Sequence, residues 1–384
     1  MWIQLTFLAL FFALMLAVGF YCRKHAKSVN GFVLGGNKAG AWLTAFAFGT
    51  SYFSAVIFVG YAGKFGWNFG IASTWIGLGN AFLGSLLAWV VLGRRTRLMT
   101  NHLGSRTMPE FFGSRYDSKA LRLISAMIVF VFLVPYTASL FNGLSRLFTM
   151  AFPQVDYTLC VVIMSLLTCV YVLVGGYMAT AINDFIQGIF MIGGIIAVVV
   201  AVLQQNGGFS ASMEKLAETA GWQYTSFFGA DPSFLFFVII LTSLGTWGLP
   251  QMVQKFYAIK SEASIKKGTI ISTLFAVVVS GGCYFLGGFG RLYSSQIDIA
   301  ADGYDAVIPA MLSNLPDLLI GLVVILVLSA SMSTLSSLVM ASSSTLTLDV
   351  LKDHVVKDMD EKKQVFIMRL LIVVFIAISV VIAI

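Results

Sequence analysis

The chain has 384 residues, of which 58% are hydrophobic and only 11% charged, and its mean hydropathy is +0.90. A soluble domain holds about a quarter charged residues, so a soluble globular protein is excluded, and continuous apolar runs exclude the alternating strands of a membrane barrel. The net charge of +7 requires no nucleic acid partner, because the basic residues gather in loops that face the anionic inner leaflet.

Ten apolar segments, each near the ~20 residues that a bilayer requires, are predicted. They run at 3–21, 41–63, 70–93, 123–150, 157–175, 182–203, 233–252, 268–289, 317–345 and 366–384. The first is no cleaved signal, since Arg23, Lys24 and Lys27 follow the apolar run instead of preceding it. This order places the N-terminus outside. The loops at 23–40, 93–122, 176–182, 254–267 and 350–369 then fall in the cytoplasm and hold 20 of the 24 Lys and Arg. The external loops 204–232 and 290–316 are long enough for short helices.

Two segments carry helix breakers. The second reads TAFAFGTSYFSAVIFVGYAG, with Gly49 before the polar Thr50-Ser51-Tyr52. The seventh reads LTSLGTWGLPQ, with Gly245, Gly248 and Pro250 inside six residues. Broken backbone at membrane depth is tolerated only where it is buried in protein or lines a cavity. The two breaks are five segments apart. An odd repeat re-enters from the opposite face, so the spacing predicts inverted halves with matched broken helices, the pattern that marks a transporter's central site.

The sixth segment begins with GGYMATAINDFIQG, and Asp184 is expected at its cytoplasmic start, either as a functional carboxylate or as a favourable N-terminal helix charge. The ninth holds LSASMSTLSSLVMASSSTLTLD, residues 328–349, with hydroxyls at 11 of 22 positions and no charge before Asp349. Ala330, Ser333 and Thr334 stand at i, i+3 and i+4 and share one face. Their oxygens form a neutral group suited to a hard cation such as Na⁺. A single Ser or Thr in a membrane helix ordinarily bonds its own backbone, but packing alone does not require eleven. Ser342 to Thr347 approach the cytoplasmic end, where water is expected to satisfy them.

The four Cys (22, 160, 169 and 283) show no disulfide or metal spacing, and His25, His102 and His354 fall in the cytoplasmic loops. The chain stops at Ile384 inside an apolar run, which reads as a truncation that lacks an eleventh segment.

Six stretches resemble the sodium:solute symporter family in order and spacing. They are FVLGGNKAGAWLTAFAFGTSYFS (32–54), PEFFGSRYDSKALRLISA (109–126), PYTASLFNGLSRLF (135–148), VGGYMATAINDFIQG (174–188), GLPQMVQKF (248–256) and MSTLSSLVMASSSTLTLD (332–349). The proline-transporting branch of the family is the most similar. The resemblance implies an all-α membrane protein with the LeuT-type fold, two inverted five-helix repeats after one extra N-terminal helix. Residues 1–31 would be the extra helix and loop, 32–204 the first repeat and 233–384 an incomplete second repeat of one domain.

The resemblance also implies sodium-coupled symport of a small organic solute, an amino acid such as proline or a small carboxylate, with no covalent chemistry and no organic cofactor. It places the sodium ligands at Thr50, Phe53 and Ala330 (carbonyls) and Ser333 and Thr334 (hydroxyls). A second sodium is expected at Asp184, Ser336 and Ser337, although Asn183 stands where the family usually has Thr. Solute contacts are expected at Ser54, Ala55, Tyr136, Thr242, Thr246, Trp247 and Pro250. The proline symporters have Asp at the position of Tyr52 and aromatics at those of Thr242 and Thr246, so a roomier and more hydroxylated pocket is expected. Multi-pass location in the plasma (inner) membrane follows, with the lipid bilayer and the solute as partners and the oligomeric state open. Two alternatives remain at this level: a major facilitator protein, which GRRTRLMTNHLGSR (93–106) resembles, and a symporter-like sensor domain.

Overall fold

Apolar segments in lipid must close their backbone hydrogen bonds on themselves, and the described chain is accordingly helical almost throughout. The computed structural model describes residues 2–152, 154–356 and 359–384, and of 2–4, 142, 143, 145, 146 and 149 the backbone only. Its principal helices are α1 (Trp2–Cys22), α2 (Ala41–Tyr52), α3 (Lys119–Ala151), α4 (Tyr157–Gln205), α5 (Pro232–Leu244), α6 (Pro250–Ala258), α7 (Glu262–Gly287), α8 (Asp317–Thr345) and α9 (Glu361–Ala383). Seven helical stretches of the described residues are long and apolar enough to cross a membrane, or eight if one bent pair counts as a span.

Two of these stretches double back. A straight helix as long as α4, with its 49 residues, would reach about 74 Å, more than twice the ~30 Å of a bilayer core. It reverses at Gly176, whose φ of +59° and ψ of −155° only glycine adopts readily. After the turn, Asn183 Nδ2 donates to Met15 O and Phe190 packs on Phe11, so the second half of α4 runs antiparallel to α1. The stretch Val56–Leu103 turns at Gly70. Before the turn, Gly66 lies against Gly287; after it, Gly77 lies against Gly281 and Ser85 Oγ meets Ser272 Oγ at 2.8 Å. Both arms therefore pack on α7, in opposite directions.

Both predicted breaks are present. α2 ends at Tyr52, Phe53 leaves helical geometry (φ −96°, ψ 79°), and the chain resumes at Ala55. Phe53 N–H still reaches Gly49 O at 2.9 Å, but the next bonds run from Ile57 and Phe58 to Ser54 O. In the seventh segment Leu249, preceding a proline, is extended (φ −73°, ψ 124°). Pro250 opens α6 at a position that needs no N–H, and the two halves bend by 54°.

α8 is the central helix. Every residue from Val323 to Thr345 is buried, hydroxyls included, as expected of a helix walled in on all sides. Ser342, Ser343, Ser344, Thr345 and Thr347 are therefore not water-exposed; Ser343 and Ser344 donate back to Met340 O instead. Residues 254–258, expected in a cytoplasmic loop, belong to α6 and are buried. The loop 93–122 contains helices Arg94–Leu103 and Met108–Arg115, and the loop 204–232, expected outside, contains Phe209–Ala220.

The closest helix approach predicts a mutational asymmetry on α7. A Cβ at Gly287 would lie 2.1 Å from Ala62 O, whereas a Cβ at Gly281 meets nothing within 4 Å. Gly287→Ala should forfeit the contact and cost ~1–3 kcal/mol, while Gly281→Ala should be neutral or gain up to ~1 kcal/mol from helix propensity. Thermal unfolding of the two variants in detergent checks this ordering.

Candidate functional site

The break after α2 lies directly against the hydroxyl face of α8. Thr50 O receives Ser333 Oγ at 3.0 Å and Thr334 Oγ1 at 3.4 Å. The same two hydroxyls reach Ala330 O at 3.3 and 3.0 Å. Four neutral oxygens from two distant chain segments thus meet, all on residues with no more than 2% exposure. Thr50 Oγ1 points the other way, to Phe46 O at 2.9 Å, so Thr50 offers its carbonyl and not its hydroxyl. Phe53 sits at the break itself, its ring stacked on Tyr52 at 4.4 Å. Oxygens about 2.4 Å from a hard cation in an octahedral shell stand about 3.4 Å from one another. The spacing of these four oxygens fits such a shell.

The residues expected around a second ion are arranged differently. Asp184 is fully buried, two turns inside the second half of α4, not at its start. Lys255 of α6 comes to it, with Nζ 3.6 Å from Asp184 Oδ2. The same ammonium donates to Ser337 Oγ at 2.9 Å, and Ser337 Oγ lies 2.9 Å from Ser51 Oγ. Ser336 turns to its own backbone, donating to Ser333 O at 2.9 Å. Sequence reasoning missed Lys255 because it assigned the residue to a basic loop. A lysine five residues after the break at Pro250 was the available signal.

Above the break lies a cavity of about 570 Å³, within the range of small-molecule sites. Of the expected solute contacts, Ser54, Tyr136, Thr242 and Thr246 line it. Ala55, Trp247 and Pro250 are not among its lining residues: Ala55 is fully buried, and the Trp247 indole donates to Leu83 O at 3.0 Å. Tyr52, Asn80 and Lys64, none of them among the expected solute contacts, also line the cavity. The Tyr52 hydroxyl donates to Thr242 O at 3.0 Å, while Asn80 Oδ1 accepts from Thr242 Oγ1 at 3.0 Å. The exposed Lys64 is the one charged residue among those lining the cavity.

The opposite end of the bundle is tied shut. Asn37 Nδ2 donates to Tyr257 O at 2.7 Å, Lys260 N to Ala39 O at 2.8 Å and Gln254 Nε2 to Val33 O at 3.1 Å. Beside these contacts Arg122 gathers the buried Asp349 (2.7 Å), Glu110 (3.6 Å) and Asp353, and Thr107 Oγ1 donates to Asp349 Oδ2 at 2.6 Å. The segment 106–122 is thereby clasped to the end of the central helix. Asp349 closes the hydroxyl ladder as half of a buried ion pair.

Comparison with known proteins gives one answer. Residues 32–384 match the family described as Sodium:solute symporter family. The osmoregulated proline transporter OpuE of Bacillus subtilis (strain 168) is 27% identical over 382 residues, covering 97% of this chain and 76% of that protein. The sodium/proline symporter of Escherichia coli (strain K12) is 28% identical over 382 residues, covering 96% of this chain and 74% of its own length. In structure, a Na⁺-coupled sialic acid symporter in a substrate-bound outward-open state superposes with a TM-score of 0.85 at 19% identity, covering 99% of this chain and 81% of that one. A fold shared with that symporter removes the major facilitator alternative. By sequence match over more than nine-tenths of its length, with the fold in agreement, the chain belongs to the sodium:solute symporter family.

Proposed function

We propose that this chain carries a small carboxylate-bearing organic solute into the cell together with Na⁺. The observation that carries the reading is the oxygen group of Thr50, Ala330, Ser333 and Thr334 across the broken α2. Na⁺ takes the lone pairs of Thr50 O and Ala330 O, the Ser333 and Thr334 hydroxyls turn their protons outward, and Phe53 O adds a fifth oxygen. The ion thereby fixes α2 on α8. The ten predicted crossings, the N-terminus outside, and halves at 32–204 and 233–384 supply the alternating-access frame.

The solute occupies the cavity above the ion. Ser54, Tyr136, Thr242 and Thr246 present hydroxyls to it, while Ala55, Trp247 and Pro250 shape the breaks behind the wall. Lys64 gives the rim a positive charge that draws a carboxylate inward. With the Arg122–Asp349 clasp closed on the far side, the arrangement supports an outward-facing state. Closing the outer side and releasing the clasp then exposes ion and solute to the cytoplasm. The gradient supplies the work, ~2.3 kcal/mol per charge per 100 mV besides the concentration term. Proline transport by the relatives named above supports an amino or imino acid, while Tyr52 in place of a carboxylate favours solutes with less need of an ammonium partner.

Uptake into proteoliposomes tests the ion site. Ser333→Ala and Thr334→Ala should each raise the half-saturating Na⁺ concentration at least ~10-fold, the loss of one charge-assisted contact of ~1.5–3 kcal/mol. Unchanged Na⁺ dependence in both would remove these residues from the site. Lys64→Gln should raise the half-saturating concentration of a transported carboxylate several-fold, with little change in maximal rate, and the effect should shrink in high salt. An equal effect on an uncharged solute would refute the steering role.

A further inference from the structure

We propose that the Lys255 ammonium is a built-in cation that occupies the place of a second coupling ion, so that the carrier binds one Na⁺ per cycle. This rests on the sodium reading of the Thr50–Thr334 group. Asp184 is completely buried, and neither of its carboxylate oxygens has a hydrogen bond. A buried carboxylate without a counter-charge is strongly disfavoured. Lys255 is its ion-pair partner among the described residues, at 3.6 Å, and is itself only 2% exposed.

The ammonium uses its donors economically. It bonds Ser337 Oγ at 2.9 Å, faces Asp184 and lies 5.4 Å over the Tyr177 ring. These contacts come from α8 and α4, and Ser337 passes the link to Ser51 of α2 at 2.9 Å. Four elements, α2, α4, α6 and α8, thus converge on one positive charge. The carboxylate and the Ser337 hydroxyl are also the groups expected around a second Na⁺. A second metal cation among them would stand beside the ammonium with a single carboxylate to share, and Ser336 has already spent its proton on Ser333 O.

A tethered cation differs from a free one in a way that matters for transport. It cannot leave with the solute, so it stabilises the packing of α6 on α8 without consuming the sodium gradient. Ser337 lies one turn beyond Ser333, about 6 Å along α8, so the ammonium sits next to the proposed ion without sharing its oxygens. Removing the ammonium leaves Asp184 and Ser337 in place with a charge to fill.

Equilibrium binding of ²²Na⁺ to the purified full chain counts the ions. The wild type should bind one Na⁺ per chain. Lys255→Met should bind two, and adding Asp184→Asn to it should return the count to one while keeping the buried region neutral. If Lys255→Met does not fold, the wild-type count and that of the neutral double variant decide. Two ions in the wild type, one ion in a folded Lys255→Met, or none in the double variant would each overturn the proposal. A wild type that binds no Na⁺ would instead sink the sodium reading beneath it, and at least ~10-fold weaker binding of the single ion in Ser333→Ala would support that reading.

Discussion

A helix interrupted inside a membrane leaves carbonyls that lipid cannot satisfy, and the structure is organised around giving them partners. After Phe53 leaves the helix, Thr50 O has no intrahelical donor and takes two hydroxyls from α8 in its place. That exchange fixes which face of α8 meets α2, and it requires the meeting to occur away from water. The complete burial of α8 from Val323 to Thr345 follows from the same demand. A polar contact that replaces backbone hydrogen bonding must be shielded as backbone hydrogen bonding is.

Close packing around this contact is achieved with small residues. Gly49 brings α2 against Phe275 of α7, and Gly66 lies backbone to backbone with Gly287. Gly188 and Gly194 do the same for the second half of α4 against Phe46 and Leu326. Where lipid provides no hydrophobic drive between helices, such approaches let dispersion and short polar contacts hold the bundle. The central helix is thus enclosed by surfaces that fit closely, and the hydroxyls of Ser333, Thr334 and Ser337 have defined partners on other elements.

The two charged clusters near α8 serve different ends. Arg122 collects the buried Asp349 together with Glu110 and the partly exposed Asp353 at one end of the bundle, and Arg122 itself keeps some access to solvent. Lys255 and Asp184 are both almost fully enclosed, where separating them would leave each uncompensated. One cluster is a network that reaches the surface, and the other is an enclosed pin. The neutral oxygen group at Ala330, Ser333 and Thr334 lies one turn before the pin on α8, on the side away from Asp349.

The periodic features of the sequence determined much of this. Apolar runs of bilayer length, breakers five segments apart, and Ala330, Ser333 and Thr334 on one helical face are local patterns whose physics acts over a few turns. The membrane class, the broken helices and the first oxygen group were therefore legible, and the family motifs fixed the inverted-repeat fold. What stayed hidden depends on contacts between segments far apart in the chain. Lys255 looked like one more loop lysine because its burial is set by α4 and α8. Asp184 was expected at a helix start because the turn at Gly176 could not be seen in the sequence, and Ser342 to Thr347 looked wet because nothing in their own segment shows what encloses them. Sequence alone decided which residues had to be polar inside lipid; only tertiary packing decided which of them faced a freed carbonyl, a cavity or each other, since a buried charge or hydroxyl takes its meaning from the partner brought to it.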